Sequence, residues 1–162
     1  MKIQIKVIDD SNKMEIRQLF IDNWHSDIMI SKGRIHKFDE LEGFIATNNA
    51  DIVGFLTFKQ LNQNVELVSL NSFIERKGIG TLLLDRLVEY AIDHSINRLW
   101  LMTTNDNLNA LKFYQKRKWT LKNIYPNAVK EARKLKPTIP MTGHDGIEIR
   151  DELELEYKIE KK

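Results

Sequence analysis

Glu66-Leu67-Val68-Ser69-Leu70-Asn71-Ser72-Phe73-Ile74-Glu75-Arg76-Lys77-Gly78-Ile79-Gly80-Thr81 reads as a β-strand that runs into a tight glycine turn and then into the first turn of a helix. Two glycines one residue apart remove side chains where the backbone must approach a ligand. A helix that starts there directs unpaired N–H groups and a partial positive charge outward. Such a cradle suits a phosphate or pyrophosphate. It is not a Walker loop, since no Gly-x-x-x-x-Gly-Lys run followed by Ser or Thr exists, and the third glycine of a dinucleotide fingerprint is replaced by Leu83. On the glycines alone, a turn that binds nothing is an equal alternative.

Downstream, Ile79, Leu82, Leu83, Leu84, Leu87, Val88, Ala91 and Ile92 recur at helical spacing and predict a helix with one broad buried face that ends near His94-Ser95. Arg98 to Thr103 reads as a strand. Thr104-Asn105-Asp106-Asn107 then offers several N-caps for a second helix, on which Asn107, Ala110 and Tyr114 share one face. Thr120 to Tyr125 is a further strand. Tyr114 at this spacing, taken singly, reads more readily as a core aromatic than as a catalyst.

The Gly78-x-Gly80 turn after a strand, followed about thirty residues on by Asn107-x-x-Ala110 and Phe113-Tyr114, resembles the GNAT superfamily of acyl-CoA-dependent N-acetyltransferases. The resemblance is strong from about Val65 to Trp119. It implies an α/β chain of mixed type, with one domain over residues 1–162. Its central sheet would be mostly antiparallel, covered by helices on both faces and splayed near Leu70 and Trp100 to admit the coenzyme. By the same resemblance, Arg76, Lys77, Gly78, Ile79, Gly80 and Thr81 match the pyrophosphate cradle. Leu70, Asn71 and Ser72 lie on the splayed strand beside the pantetheine arm, and Asn107, Ala110 and Tyr114 form the second coenzyme contact. Lys116, in the cluster Lys116-Arg117-Lys118, could meet the ribose phosphate, with a solvated surface as the alternative. The chain departs from the family pattern in having Glu75-Arg76 where Gln or Arg followed by Gly is usual, and Lys118-Trp119 where Gly-Phe is common.

The chemistry implied is acetyl transfer from acetyl-CoA to a primary amine. An amine with a lysine-like pKa of about 10 is mostly protonated at neutral pH, so transfer requires a base. Glu66 is the candidate. Strand alternation puts it with Val68, Leu70 and Ser72, and apolar neighbours would strengthen its hold on a proton. An edge carboxylate paired with a lysine is the alternative. Tyr114 is the candidate acid for the departing thiolate, and backbone N–H groups near Leu70 would polarise the thioester carbonyl. With no cysteine in the chain, an acyl-cysteine intermediate and disulfides are excluded, and direct attack in a ternary complex is then the simplest mechanism.

At 162 residues and 42% hydrophobic content the chain can bury a real core. The net charge of +2, with basic and acidic residues interleaved, gives no nucleic-acid stripe. His25, His36, His94 and His144 lack metal-ligand spacing, so no metal is expected. No membrane-length apolar run exists, and Met1 to Val7 alternates like a strand rather than a signal peptide, which points to the cytoplasm. A monomer and a homodimer are both open.

Elsewhere, Ser11 is a candidate cap for a helix carrying Met14, Ile16, Leu19, Phe20 and Trp24, and Gly43 to Leu61 reads as a hairpin turning at Asn48-Asn49. In the fold so implied, His25 to His36 forms one wall of the acceptor cleft. The loop Lys136 to Gly146 forms the other, ahead of an alternating strand Leu153 to Ile159. Trp24, Asp27 and Asp145 could bind a cationic amine, with core packing and loop capping as the competing readings. Besides the transferase, a binding-only acyl-CoA sensor and a different phosphate-binding protein remain open; the pairing of Tyr114 with Glu66 favours turnover.

Overall fold

The computed structural model describes residues 2–160; Met1 of the expected first strand and the last two residues of the expected 1–162 domain lie outside them. In chain order the elements are β1 (Ile3–Val7), α1 (Lys13–Trp24), β2 (Ile28–Ser31), β3 (Arg34–Lys37), β4 (Glu42–Asn48), β5 (Asp51–Leu61), β6 (Asn64–Ser72), α2 (Ile79–Asp93), β7 (Arg98–Thr104), α3 (Leu108–Lys116), β8 (Trp119–Tyr125), α4 (Ala128–Leu135) and β9 (Glu152–Tyr157). Seven strands form one sheet in the order β1-β4-β5-β6-β7-β9-β8, and β2 and β3 form a separate hairpin. The β4–β5 hairpin turns through Asn49, which takes the left-handed φ of 56° that asparagine tolerates.

Within the large sheet, β6 and β7 are the parallel pair among the described strands, and their ladder covers only Asn64↔Arg98 to Leu67↔Leu101. Beyond that point the two strands continue without pairing to each other. The splay therefore opens after Leu67 and Leu101 rather than at Trp100, which still pairs with Glu66.

A second irregularity sits on the same strand. Between β5 and β6 the register slips, so that Thr57 faces Ser69 and Phe58 faces Leu67, with Val68 as the extra residue. A bulge resets the alternation of side chains. Leu70 thus packs with Val65 and Leu67 on the α2 side, while Val68 packs beneath α1. The expected grouping of Glu66 with Val68, Leu70 and Ser72 on one face fails at Leu70 for this reason.

Two cores flank the sheet. On one face Ile79, Leu83, Leu84, Leu87 and Ala91 of α2 bury against Leu56, Phe58, Val65 and Leu99. On the other, Ile16 and Phe20 of α1 bury against Ile45, Phe55 and Phe38. At about 1.5–3 kcal/mol for each fully buried large apolar side chain, these layers hold the sheet from both sides. Leu82, expected on the buried face of α2, is exposed, as is Met14 of α1. Ser11 does not cap α1: Asn12 is the N-cap residue, and the Ser11 hydroxyl instead donates to Asp9 Oδ1 at 2.5 Å.

Candidate active site

The turn after β6 has the expected form. Arg76 and Gly78 take left-handed φ values of 61° and 71°, and α2 starts directly after Gly78 with no side-chain cap on its first N–H groups. A Cβ at Gly78 would meet only open space, so glycine is needed there for its backbone conformation. Gly80 serves a different need. A Cβ there would lie 3.3 Å from the Phe113 ring, so its absence lets α3 pack against the first turn of α2.

Arg117 locks this contact. Its guanidinium lies 3.7 Å from the Phe113 ring centroid and donates to Thr81 Oγ1 at 3.0 Å and to the Phe113 carbonyl at 2.9 Å. The structure thus puts Arg117 against the turn, whereas Lys116 is exposed on α3. Lys118, standing where a glycine is common in the family, has a φ of 71° just past the end of α3, a position that favours glycine for steric reasons.

Between the parted strands lies a cavity of about 570 Å³. Glu66 and Leu70 from β6 and Asn107, Ala110 and Tyr114 from α3 all line it, so the face predicted from the 107/110/114 spacing is the face turned to the cavity. Asn107 also caps α3 by accepting from the Ala110 N–H at 3.2 Å. Asn71, Ser72 and Arg76 to Thr81 are not part of the cavity lining. Asn71 Oδ1 accepts from Trp24 Nε1 at 2.9 Å, and the Ser72 hydroxyl donates to the Ile74 carbonyl at 3.0 Å.

Glu66 is neither an edge carboxylate nor set among apolar groups alone. It is 4% exposed, accepts a hydrogen bond from the Ser31 hydroxyl, and lies 3.1 Å from His36 Nε2. Both partners belong to the β2–β3 hairpin, which closes over this part of β6. Glu66 also lines a second, outer groove with His36, Lys59 and Arg98.

Tyr114 is buried, its ring edge-on to Phe113 at 5.2 Å and to Trp119 at 5.6 Å. Burial pushes its hydroxyl pKa well above the ordinary tyrosine value, so it is a phenol at any physiological pH.

The far walls are the two segments expected there. Trp24, His25, Met29 and Ser31 line one side, and Lys136, Ile139, Pro140, Gly143 and His144 the other. Asp27 is paired with Arg17 at 2.8 Å, and Asp145 is exposed with a φ of 56° in a one-turn 3₁₀ helix; neither lines the cavity.

Three further ionisable side chains line the cavity; the sequence reading had Asp106 only as a cap candidate and Lys136 only as the start of the wall loop, and missed Glu152. Glu152 is 4% exposed; burial raises its pKa, with a smaller contribution from Glu66, against a hydrogen bond from the Lys32 N–H. Asp106 accepts from Thr104 Oγ1 at 2.5 Å and from the His144 N–H at 3.1 Å, tying the far loop to the start of α3. Lys136 is buried, and desolvation pulls its pKa down to about 8. In sequence, Glu152 and Glu154 of the alternating β9 look like a solvent face, yet both are buried, because Lys32, Arg98, Asn123 and Tyr125 cover them.

The site is thus a mixed sheet with one short parallel ladder, parted beside an uncapped helix start. Residues 7–119 match the family model described as Acetyltransferase (GNAT) family, and the chain belongs to that family. Two relatives from Bacillus subtilis (strain 168) are similar over most of their length. YdhI is 43% identical over 142 residues, covering 87% of this chain and 89% of that protein. YxbD is 42% identical over 139 residues, covering 85% and 87%; both are described as uncharacterized. The fold matches a Bacillus subtilis acetyltransferase in complex with CoA at a TM-score of 0.72 and 18% identity, over 98% of this chain and 100% of that one. It also matches a GNAT family acetyltransferase from Elizabethkingia anophelis with acetyl-CoA bound at a TM-score of 0.70 and 18% identity, over 96% and 97%. Among the described residues no helix is long and apolar enough to cross a membrane.

Proposed function

We propose that this protein transfers an acetyl group from acetyl-CoA to a primary amine by direct attack, with both substrates held in the cavity between β6 and β7. The observation that carries the reading is that one cavity is lined by a buried carboxylate, Glu66, and a buried phenol, Tyr114, at the mouth of a splayed sheet. Membership of the acetyltransferase family supports the acyl donor. So does the uncapped start of α2, whose free N–H groups suit a pyrophosphate. Arg117 adds positive charge beside it.

The amine enters as an ammonium ion, drawn by Glu66 and Glu152, which line the same cavity. Glu66 takes its proton, and the nitrogen lone pair then attacks the thioester carbonyl carbon while the π pair moves to oxygen. Backbone N–H groups near the bulge at Val68 would face the resulting oxyanion. As the intermediate collapses, the C–S bond breaks, Tyr114 donates its proton to the leaving sulfur, and the remaining extra proton on the attacking nitrogen returns to the Tyr114 oxygen, which leaves a neutral amide and restores the phenol. The excess proton leaves from Glu66 through His36 toward the outer groove that both residues line. The products are the acetamide, free CoA and one proton.

The test is calorimetric titration with acetyl-CoA, followed in the same sample by thiol release on adding polyamines, aminoglycosides, amino acids and lysine peptides. Binding with acceptor-dependent release is the expected result. Binding with no release from any acceptor would leave a sensor, and no binding would overturn the coenzyme reading.

A further inference from the structure

We infer that Lys136 is the acceptor-recognition residue of this cavity and that it holds a carboxylate, so that the acceptor is an amine that also carries a carboxylate, such as an α-amino acid or a short amino-carboxylate. The inference rests on the transferase reading and names its substrate class.

Lys136 stands at the C-terminal end of α4, where its own N–H donates to the Ala132 carbonyl at 2.8 Å. Its residue surface is 5% exposed, and the side chain lines the cavity. Among the described residues its ammonium group forms no ion pair, and its polar contact is the Met29 sulfur at 3.7 Å, a weak acceptor. Other buried charges of this site are satisfied: Glu66 by Ser31 and His36, Asp106 by Thr104 and the His144 N–H, Glu152 by the Lys32 N–H. A buried ammonium with no anion is costly, and proteins generally either pair such a group or replace it with an apolar one. Methionine would fill the same space. Here three N–H donors face a cavity instead, and an anion brought by the substrate would satisfy them.

The placement also puts both charges beside one strand. Met29, which Lys136 touches, and Ser31, which holds Glu66, are two residues apart on β2 and so lie on one face of it. Glu66 and Glu152 take the ammonium end, and Lys136 takes the carboxylate. An amine with no anionic group would leave the Lys136 charge unpaired.

The experiment is thiol release from acetyl-CoA with matched amines that differ only in the carboxylate: histidine and histamine, tyrosine and tyramine, lysine and cadaverine, together with β-alanine and γ-aminobutyrate. It is run on the full chain and on the Lys136→Met and Lys136→Gln variants. The expected result is that the accepted carboxylate-bearing member of a pair exceeds its counterpart in kcat/KM by roughly ten- to a hundredfold, as for a charged hydrogen-bonded pair. Both variants should bring that ratio toward one, mainly through a raised KM for the carboxylate-bearing member. A preference for the carboxylate-free amine, or a ratio that survives in both variants, would overturn the assignment while leaving acetyl transfer intact. Release from no carboxylate-bearing amine would also overturn it, and calorimetric titration with acetyl-CoA in the same sample then shows whether the transferase reading falls with it.

Discussion

The two sides of the proposed site are built in opposite ways. The side proposed for the coenzyme is local: the strand, glycine turn and helix start are consecutive from Glu66 to Thr81, and beside them one helix face at positions 107, 110 and 114 lines the cavity. The side proposed for the acceptor is assembled from a distance. Ser31 and His36 reach Glu66 across about thirty residues, Lys136 meets Met29 across more than a hundred, and Glu152 meets the Lys32 N–H across 120. A coenzyme common to a family can be bound by a short stretch of backbone. A substrate peculiar to one protein is recognised by side chains that only the completed fold brings together.

The largest expected effects break the chemistry where the two ends meet. Tyr114→Phe should lower turnover by roughly ten- to a thousandfold with acetyl-CoA affinity nearly unchanged, as expected for loss of a general acid. Calorimetry with stopped-flow thiol detection checks both halves, and a variant with wild-type turnover across pH would remove Tyr114 from the mechanism. Glu66→Gln should cost on the order of a hundredfold in kcat and flatten the acidic limb of the pH–rate profile. If that limb persists with unchanged slope, another group deprotonates the amine. His36→Gln, which keeps a hydrogen-bond donor but cannot carry a proton in the same way, should have a smaller effect of roughly tenfold, with an enlarged solvent isotope effect if proton exit has become limiting.

Two milder changes sharpen the contrast. Gly80→Val should weaken acetyl-CoA binding and cost about 1–3 kcal/mol of stability, because the added methyls press on Phe113 in a tight contact. Gly78→Ala should strain only the backbone, at roughly 1 kcal/mol, with open space for its Cβ. Denaturant unfolding of the pair distinguishes the two.

At the acceptor end, the Lys136 amine has a folded pKa of about 8, below the ordinary lysine value of 10.5. Between those values the unfolded chain binds more protons than the folded one, so stability should rise with pH across that window. Lys136→Met should abolish that rise and give a higher Tm near neutrality, since a buried charge that burial penalises is gone. Thermal unfolding at pH 7 and pH 10 is sufficient to detect it.

What was legible in the sequence follows the same division. The α2 face, the cap at Asn107, the β4–β5 hairpin and the approach of Asn107, Ala110 and Tyr114 to one cavity all follow from periodicity and turn chemistry over a few residues. The β2–β3 hairpin and α4 did not announce themselves. Each strand has four residues, and α4 has eight, of which Val129 and Ala132 are buried. Segments so short carry too few apolar repeats to establish a period. The Leu70 error arose because one extra residue at Val68 inverts every later side chain, and a bulge has no marker in a run of β-formers such as Val65 to Leu70.

By itself, then, the sequence determined the family, the order of the central elements and the place of the glycine turn, because each is set by interactions between residues close in the chain. Tertiary structure alone decided that Glu66 is held by Ser31 and His36, that the glutamates of β9 are buried rather than solvated, and that Lys136 lines the cavity with no ion pair among the described residues. Burial and charge pairing depend on what is folded against a side chain, and for these residues the partners come from the far end of the chain.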